Sequence, residues 1–274
     1  MLTRFGWKAD TLKTGEHVIA RGNPDRDADR HFVYANLFIR DGKELWAWGG
    51  PQLTQAPQPS AEALAAKSAD FTGVWRIRFV GDVLGRARPD TVLVNTLPVT
   101  AKGQAQVDAF NPDENPEWDC APQTMPEILG YPYPFEVLRP NADTIVLHYE
   151  VNELDRVIHL NTTSHPANVA RTPLGHSIGR FENGELVIET AAFTHVRWGN
   201  GRGVDSGERK STVERYKLGA DGRSLTLAFT MTDPEYLTQA VTAEHNYNLN
   251  PGYKLQEYLC DPATSRRHLT AGQD

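Results

Sequence analysis

The chain is predicted to be an all-β protein, an up-and-down antiparallel barrel of about nine or ten strands, and three observations carry that prediction. From residue 70 onward, short stretches of alternating polarity follow one another. They are separated by the turn signals Asn141-Ala142-Asp143, Asp221-Gly222, Asp233-Pro234 and Asn250-Pro251-Gly252. Asn183-Gly184 lies between two alternating segments, and both residues tolerate the positive φ of a type I′ turn, so a hairpin is centred there. Helix periodicity is confined to residues 100–110, and no repeat of about 20 to 50 residues marks a solenoid or propeller. Sequential strands with short loops remove their own edges by closing into a barrel; a β-sandwich is the alternative.

Residues 1–49 read as a small β-rich unit with strands at 15–22, 31–40 and 44–48, the last two joined across Asp41-Gly42. So few strands are marginal alone, and the unit is expected to lean on the main body. Residues 50–69 carry Pro51, Pro57 and Pro59 and then an alanine-rich stretch, the composition of a linker ending in a short helix. The barrel is assigned to 70–268, with 269–274 as a tail. Its first strand, 72–79, places Trp75, Ile77 and Phe79 on one face and Arg76 and Arg78 on the other. After the helix comes a Pro-rich loop, 111–134, and loops of that length inside a compact domain are usually lids or binding loops. Further strands are expected at 135–139, 144–151, 156–161, 209–218, 224–232, 238–249 and 253–260.

In the central hairpin a two-residue loop sets Glu182 opposite Glu185, Arg180 opposite Val187, Ile178 opposite Glu189 and His176 opposite Ala191. Side chains alternate, so His176, Arg180 and Glu189 share one face, while Phe181, Leu186 and Ile188 share the other. Facing a cavity, that imidazole, guanidinium and carboxylate make an acid/base and anion-holding site. Facing water, they make a surface ion pair.

A ligand-binding barrel should also show charged groups among apolar inward residues. Glu214 shares its face with Tyr216 and Leu218, Glu257 with Leu255 and Leu259, and His245 with Tyr247 and Leu249. His148 alternates with Val146 and Glu150, opposite the apolar face containing Tyr149. A buried carboxylate requires a partner, and Arg180 is the expected partner of Glu214. His165, in Ser164-His165-Pro166, is aimed by the proline that follows it and is a candidate general acid or base. Gly199-Asn200-Gly201-Arg202-Gly203, beside Trp198, is expected to form a mobile flap.

Several classes are set aside. The net charge is −7, no basic run occurs and no nucleic-acid motif is present, so no nucleic-acid partner is expected. No stretch of about 18 apolar residues predicts a membrane helix. The polar start Met1-Leu2-Thr3-Arg4 is not a signal peptide, so the chain as written is expected to be cytosolic or to have lost its leader. No G-x-S-x-G elbow, G-x-G-x-x-G turn or P-loop occurs, and no cofactor is expected. The two cysteines, Cys120 and Cys260, form either one disulfide or two buried thiols. No paired-histidine metal motif is present, and no metal is assigned, although His165, His176 and a carboxylate such as Glu189 could hold one.

Residues 70–268 resemble a large, mostly uncharacterised family of bacterial, often exported, proteins. The resemblance rests on Thr72-Gly73-Val74-Trp75, the run from Gly175 to Asn183, Leu186-Val187-Ile188-Glu189-Thr190, Glu214-Arg215-Tyr216, Asp233-Pro234 and Glu257-Tyr258-Leu259-Cys260. Residues 7–48 separately resemble the second half of another small domain, oligonucleotide/oligosaccharide-binding-like in pattern. The chain departs from the family before the central hairpin, where Thr162-Thr163-Ser164-His165 replaces an Asp-Gly-Arg-x-His pattern. The resemblance implies a lipocalin/calycin-like barrel, a periplasmic or secreted origin and a Cys120–Cys260 disulfide; it implies no reaction.

The reading that follows is a cofactor-independent acid/base enzyme, of lyase, isomerase or hydrolase type, acting on a small apolar organic molecule. His165 or His176 transfers the proton, Glu189 or Glu214 orients it or serves as the other acid, and Arg180 holds negative charge. Tyr149, Trp198, Tyr216, His245 and Glu257 are expected to bind the substrate. The alternatives are a non-catalytic carrier with the same cavity and a metal-dependent enzyme.

Overall fold

Nine strands, among the described residues, close into a ring in which each hydrogen-bonds to its neighbours. The computed structural model describes residues 7–8, 10–24, 33–47, 60–61, 65–81, 87–89, 91–92, 97–201, 203–258, 260–266 and 269. They form two compact units, one within residues 1–60 and one across 61–269. The first holds β1 (Ile19–Pro24), β2 (Val33–Arg40) and β3 (Lys43–Trp46) as an antiparallel meander. Trp7 closes over it, its indole N–H donating to the Trp46 carbonyl at 2.7 Å and its ring edge meeting Phe38. Most of the expected linker, and part of its short helix, lies outside the described residues.

In the larger unit the chain runs through β4 (Gly73–Ile77), β5 (Phe79–Gly81), β6 (Ala87–Pro89) and β7 (Thr91–Val92) into helix α1 (Ala101–Asp108). Thr100 caps α1 by accepting from the amide of Gly103. The 111–134 segment contains 3-10 turns at Pro112–Glu114 and Pro116–Asp119 and the single turn α2 (Glu127–Gly130). Then come β8 (Phe135–Asn141), β9 (Thr144–Tyr149), β10 (Leu154–His159), β11 (His176–Glu182) and β12 (Glu185–Ala191). After β13 (Val196–Gly201) and β14 (Val204–Ser206), a separate hairpin, the ring is completed by β15 (Ser211–Leu218), β16 (Ser224–Thr232) and β17 (Val241–Leu249). The short helix α3 (Pro262–Ser265) follows.

The ring order is β4-β8-β9-β10-β11-β12-β15-β16-β17 and back to β4, with β7 also paired to β17. This is the expected all-β barrel, with one departure from a pure up-and-down antiparallel path. A ring of alternating directions must contain an even number of strands, so an odd ring needs a parallel neighbour. Here β10 and β11 are parallel, and they share only two residue pairs, Ile158 with Ser177 and His159 with Ile178.

The period-two pattern fills the barrel. Leu225, Leu227, Phe229 and Met231 of β16 point inward with Val241, Ala243 and Tyr247 of β17, Trp75 of β4 and Leu147 of β9, and all are buried. The central hairpin has the expected register, with Asn183 and Gly184 both at positive φ. Phe79 does not join Trp75 and Ile77, because the strand breaks at Arg78 and leaves the Phe79 ring exposed beneath the Arg76 guanidinium. The strand expected at 253–260 is absent over its described residues. That segment is fastened by side chains instead, Gln256 N–H donating to the Glu150 carboxylate and Tyr258 N–H to that of Glu153. Among the described residues no helix is long and apolar enough to cross a membrane.

Cys120, in the 111–134 segment, is bonded to Cys260 across 140 residues of chain. Closing so long a loop removes much unfolded-state entropy, up to about 5 kcal/mol in the chain-entropy description. Reduction, or Cys120→Ser with Cys260→Ser, is therefore expected to lower the urea midpoint clearly, which equilibrium unfolding with and without reductant will measure.

Candidate functional site

The groups expected to form one site are divided by the barrel wall. Ser177, Leu186, Ile188 and Thr190 of the hairpin point inward and are buried, so alternation turns His176, Arg180 and Glu189 outward. Arg180 is 44% exposed and bridges Glu182 and Glu189, each at 2.5 Å. The expected inward orientation of this face is thus reversed. Water solvates an exposed ion pair at little cost, whereas the interior would have to compensate its desolvation in full.

Glu214 does point inward and is fully buried, but its partner is Arg156 of β10 rather than Arg180. The guanidinium donates through both terminal nitrogens to the carboxylate, at 2.9 and 2.7 Å. It also donates to Ser177 Oγ at 2.9 Å and Thr190 Oγ1 at 2.6 Å. Tyr216 donates to Glu214 at 3.0 Å, and Ser177 and Thr190 bond to each other. Burial alone would lower the affinity of Arg156 for its proton, but the Glu214 carboxylate more than reverses this. Tyr149, also fully buried, has its hydroxyl lifted to about 12 by burial and lies near the guanidinium without a hydrogen bond of ordinary geometry. This cluster occupies the filled part of the core.

The open space lies elsewhere. A cavity of about 330 Å³, open to solvent on one side, lies between Phe229, Val241, Ala243 and His245 of the inner wall, the stretch from Pro126 to Pro132, Leu97, and the end of β13 at Asn200 and Gly201. The 111–134 segment is thus a wall of this cavity, as its length suggested. Several bonds hold it there. Tyr247 donates to the Leu129 carbonyl at 2.7 Å, Thr124 to the Pro173 carbonyl at 2.5 Å, and Tyr131 to Glu117. Lys210, 1% exposed, donates to the carbonyls of Met125 and Gly199, with Phe193 beneath its ammonium.

The titratable groups at this end are pushed toward their neutral forms. Burial raises Glu127 to about 7, reinforced by Glu117 and opposed by Lys210. Burial lowers Lys210 to about 7, opposed by Asp233 and Glu127, and burial lowers His245 to about 4. Neutral Lys210 keeps two N–H donors, matching its two carbonyls, so its latch survives loss of the charge. Asn200, 2% exposed, donates to Asp233 and to the Asp205 carbonyl, each at 2.8 Å. Among the described residues its own carbonyl oxygen has no partner.

His245 therefore lines the cavity as expected, while Tyr149 and Tyr216 lie in the filled core. Trp198 packs at a tilt against Phe110, with ring centroids 5.1 Å apart, and does not line the cavity. Glu257 is exposed on the chain outside the ring. The expected flap is not free: Gly199, Asn200 and Gly201 are buried and tied to Lys210 and Asp233, while Arg202 lies outside the described residues. Among the described residues no group of three or more His, Cys, Asp or Glu side chains is arranged to hold a metal ion.

Fold and cavity together define a closed β-barrel with a pocket between its inner wall and the 111–134 segment. No family model matches the chain, and no curated protein matches it. Among solved structures it is similar to the wild-type fluorescent protein UnaG, 14% identical, with a TM-score of 0.31 over 66% of this chain and 97% of that one. A point mutant of the same protein is 12% identical, with a TM-score of 0.29 over 70% and 98%.

Two outcomes follow. Glu214→Leu strands a buried guanidinium and is expected to cost about 3–5 kcal/mol, most of which Arg156→Met restores in the double variant; urea unfolding of the three proteins measures this. Glu127 binds its proton more tightly folded than unfolded, so its contribution is complete below about pH 4.5 and lost as pH rises through about 7. Glu127→Gln is expected to remove a decline of roughly 2 kcal/mol over that window, read from unfolding midpoints at successive pH values.

Proposed function

We propose that this barrel binds a small, largely apolar molecule in the chamber between its inner wall and the 111–134 segment. The observation that carries the reading is the chamber itself, a space of about 330 Å³ with mostly apolar walls and a few polar groups. Specific small-molecule sites are built this way, a hydrophobic enclosure giving affinity and a few polar groups giving orientation.

The polar groups narrow the ligand class. His245, lowered to about 4, is neutral at pH 7, and Glu127, raised to about 7, is about half protonated there, so the lining carries little charge, which suits an uncharged ligand. Carriage rather than turnover is the better reading, because His165, His176, Arg180 and Glu189 stand on the outer wall and cannot reach a molecule in the chamber.

The test uses prodan, a neutral naphthalene dye small enough for the chamber, with its emission shift as the signal. Saturable micromolar binding is expected, weakened at least tenfold by Ala243→Phe, which projects a ring into the space. Failure to saturate, or unchanged affinity in a folded Ala243→Phe variant, removes the proposal.

A further inference from the structure

The seam between β10 and β11 carries an arrangement on its outer face that the binding reading does not use. His159 ends β10, His176 begins β11, and His165 belongs to the 160–175 connection between them. The His159 and His176 rings are stacked with centroids 4.8 Å apart and planes within 12°. His165 meets His176 edge-on, its Nδ1 2.9 Å from the Nδ1 of His176. Three imidazoles from three chain segments thus converge at one point of the surface, with Glu189 beside them on β12.

Two neutral imidazoles in such contact share a single proton, one nitrogen donating and the other accepting. Neutral imidazole is the form that binds metal ions. Nitrogens each ~2.05 Å from one ion stand ~2.9 Å apart at an N–metal–N angle of ~90°, and ~3.3 Å apart at the tetrahedral angle. The observed hydrogen-bond spacing equals the cis separation of a tetragonal sphere, the preference of Cu(II) and Ni(II), so both nitrogens can turn onto one such ion with little change in their separation.

We infer that His165 and His176 form a two-imidazole site for a tetragonal divalent transition metal, Cu(II) above all, on the outer wall of the barrel. The ion takes both Nδ1 atoms after a modest rotation of each ring, the shared proton moves to Nε2, and water completes the sphere. The stacked His159 ring fixes the plane of His176. Arg180 is the nearest cation on β11, and its charge is already matched by Glu182 and Glu189. Two protein ligands are fewer than a structural metal centre uses, so the site is one of exchangeable, solvent-accessible metal.

The experiment is a Cu(II) titration of the full chain, free of any polyhistidine tag, followed by electron paramagnetic resonance and tryptophan quenching. One equivalent with an axial, nitrogen-coordinated signal is expected. Its affinity should fall at least tenfold in both His165→Gln and His176→Gln, and should be unchanged in His148→Gln, whose ring pairs with Asp155 elsewhere on the surface. Matching thermal midpoints without copper establish that each variant is folded. Absence of saturable binding, or equal affinity in the His165→Gln, His176→Gln and unaltered proteins, overturns the inference. The dye-binding test reports on the chamber, so either result can fail without the other.

Discussion

Arg156 closes this barrel where its backbone ladder is weakest. Every other junction of the ring is antiparallel, but β10 and β11 meet in parallel over two residue pairs. Across that short seam the Arg156 side chain runs from β10 to Ser177 on β11, Thr190 on β12 and Glu214 on β15. Four strands are joined by one guanidinium. A buried ion pair adds little stability over a well-packed apolar substitute, so directionality is the better account of its presence: a planar fork with fixed donors specifies which strands meet and in what register. Gly179 contributes from β11, where a Cβ would come within 2.5 Å of the Ile158 side chain across the seam.

The same seam explains the division of polar residues between the two sides of the wall. Groups inside must be matched atom by atom, and Arg156, Glu214, Tyr216, Ser177 and Thr190 are. Groups outside need no such matching, so Arg180 and Glu189 can form a simple solvated pair. The 160–175 connection leaves from the end of β10 and returns to the start of β11, which delivers His165 to the neighbourhood of His159 and His176. Inner and outer clusters thus sit on opposite faces of one structural irregularity.

Much of this was legible in the sequence. Alternation and turn chemistry sufficed for β8 to β12 and β15 to β17 and for the hairpin register, because a two-residue Asn-Gly loop leaves no choice of partner; the glycine-rich run at 199–203 read as a flap and hid the short hairpin of β13 and β14. They could not say which face of that hairpin looks inward, since the face with Phe181, Leu186 and Ile188 and the face with Ile178 and Val187 both carry apolar residues. The burial argument correctly marked Glu214. Applied equally to 156–161 it would have marked Arg156, which shares a face with Ile158, but Val157 on the other face blurs the pattern. Asn200, Glu127 and Lys210 could not be found by periodicity: they come from the end of a short irregular strand, a single helical turn and the end of a connection, where side-chain direction is set by tertiary packing. The length of the 111–134 segment was the usable signal, and it pointed to the correct wall of the chamber.

The chamber persists because its lid is held by bonds that do not need the space filled. A void inside a well-packed protein normally costs stability in proportion to its volume, and an unsupported segment would sink into it. Here Cys120 is bonded to Cys260, Thr124 to the Pro173 carbonyl, Tyr247 to the Leu129 carbonyl, and Lys210 to the Met125 and Gly199 carbonyls. These anchors fix the lid from several directions at distances set by hydrogen-bond geometry rather than by apolar contact. Burying a lysine for this purpose is expensive, and the lowered proton affinity of Lys210 is the sign of that cost. An apolar side chain could fill the same volume, but it could not tie a carbonyl of the lid and a carbonyl of β13 to one point beside the chamber.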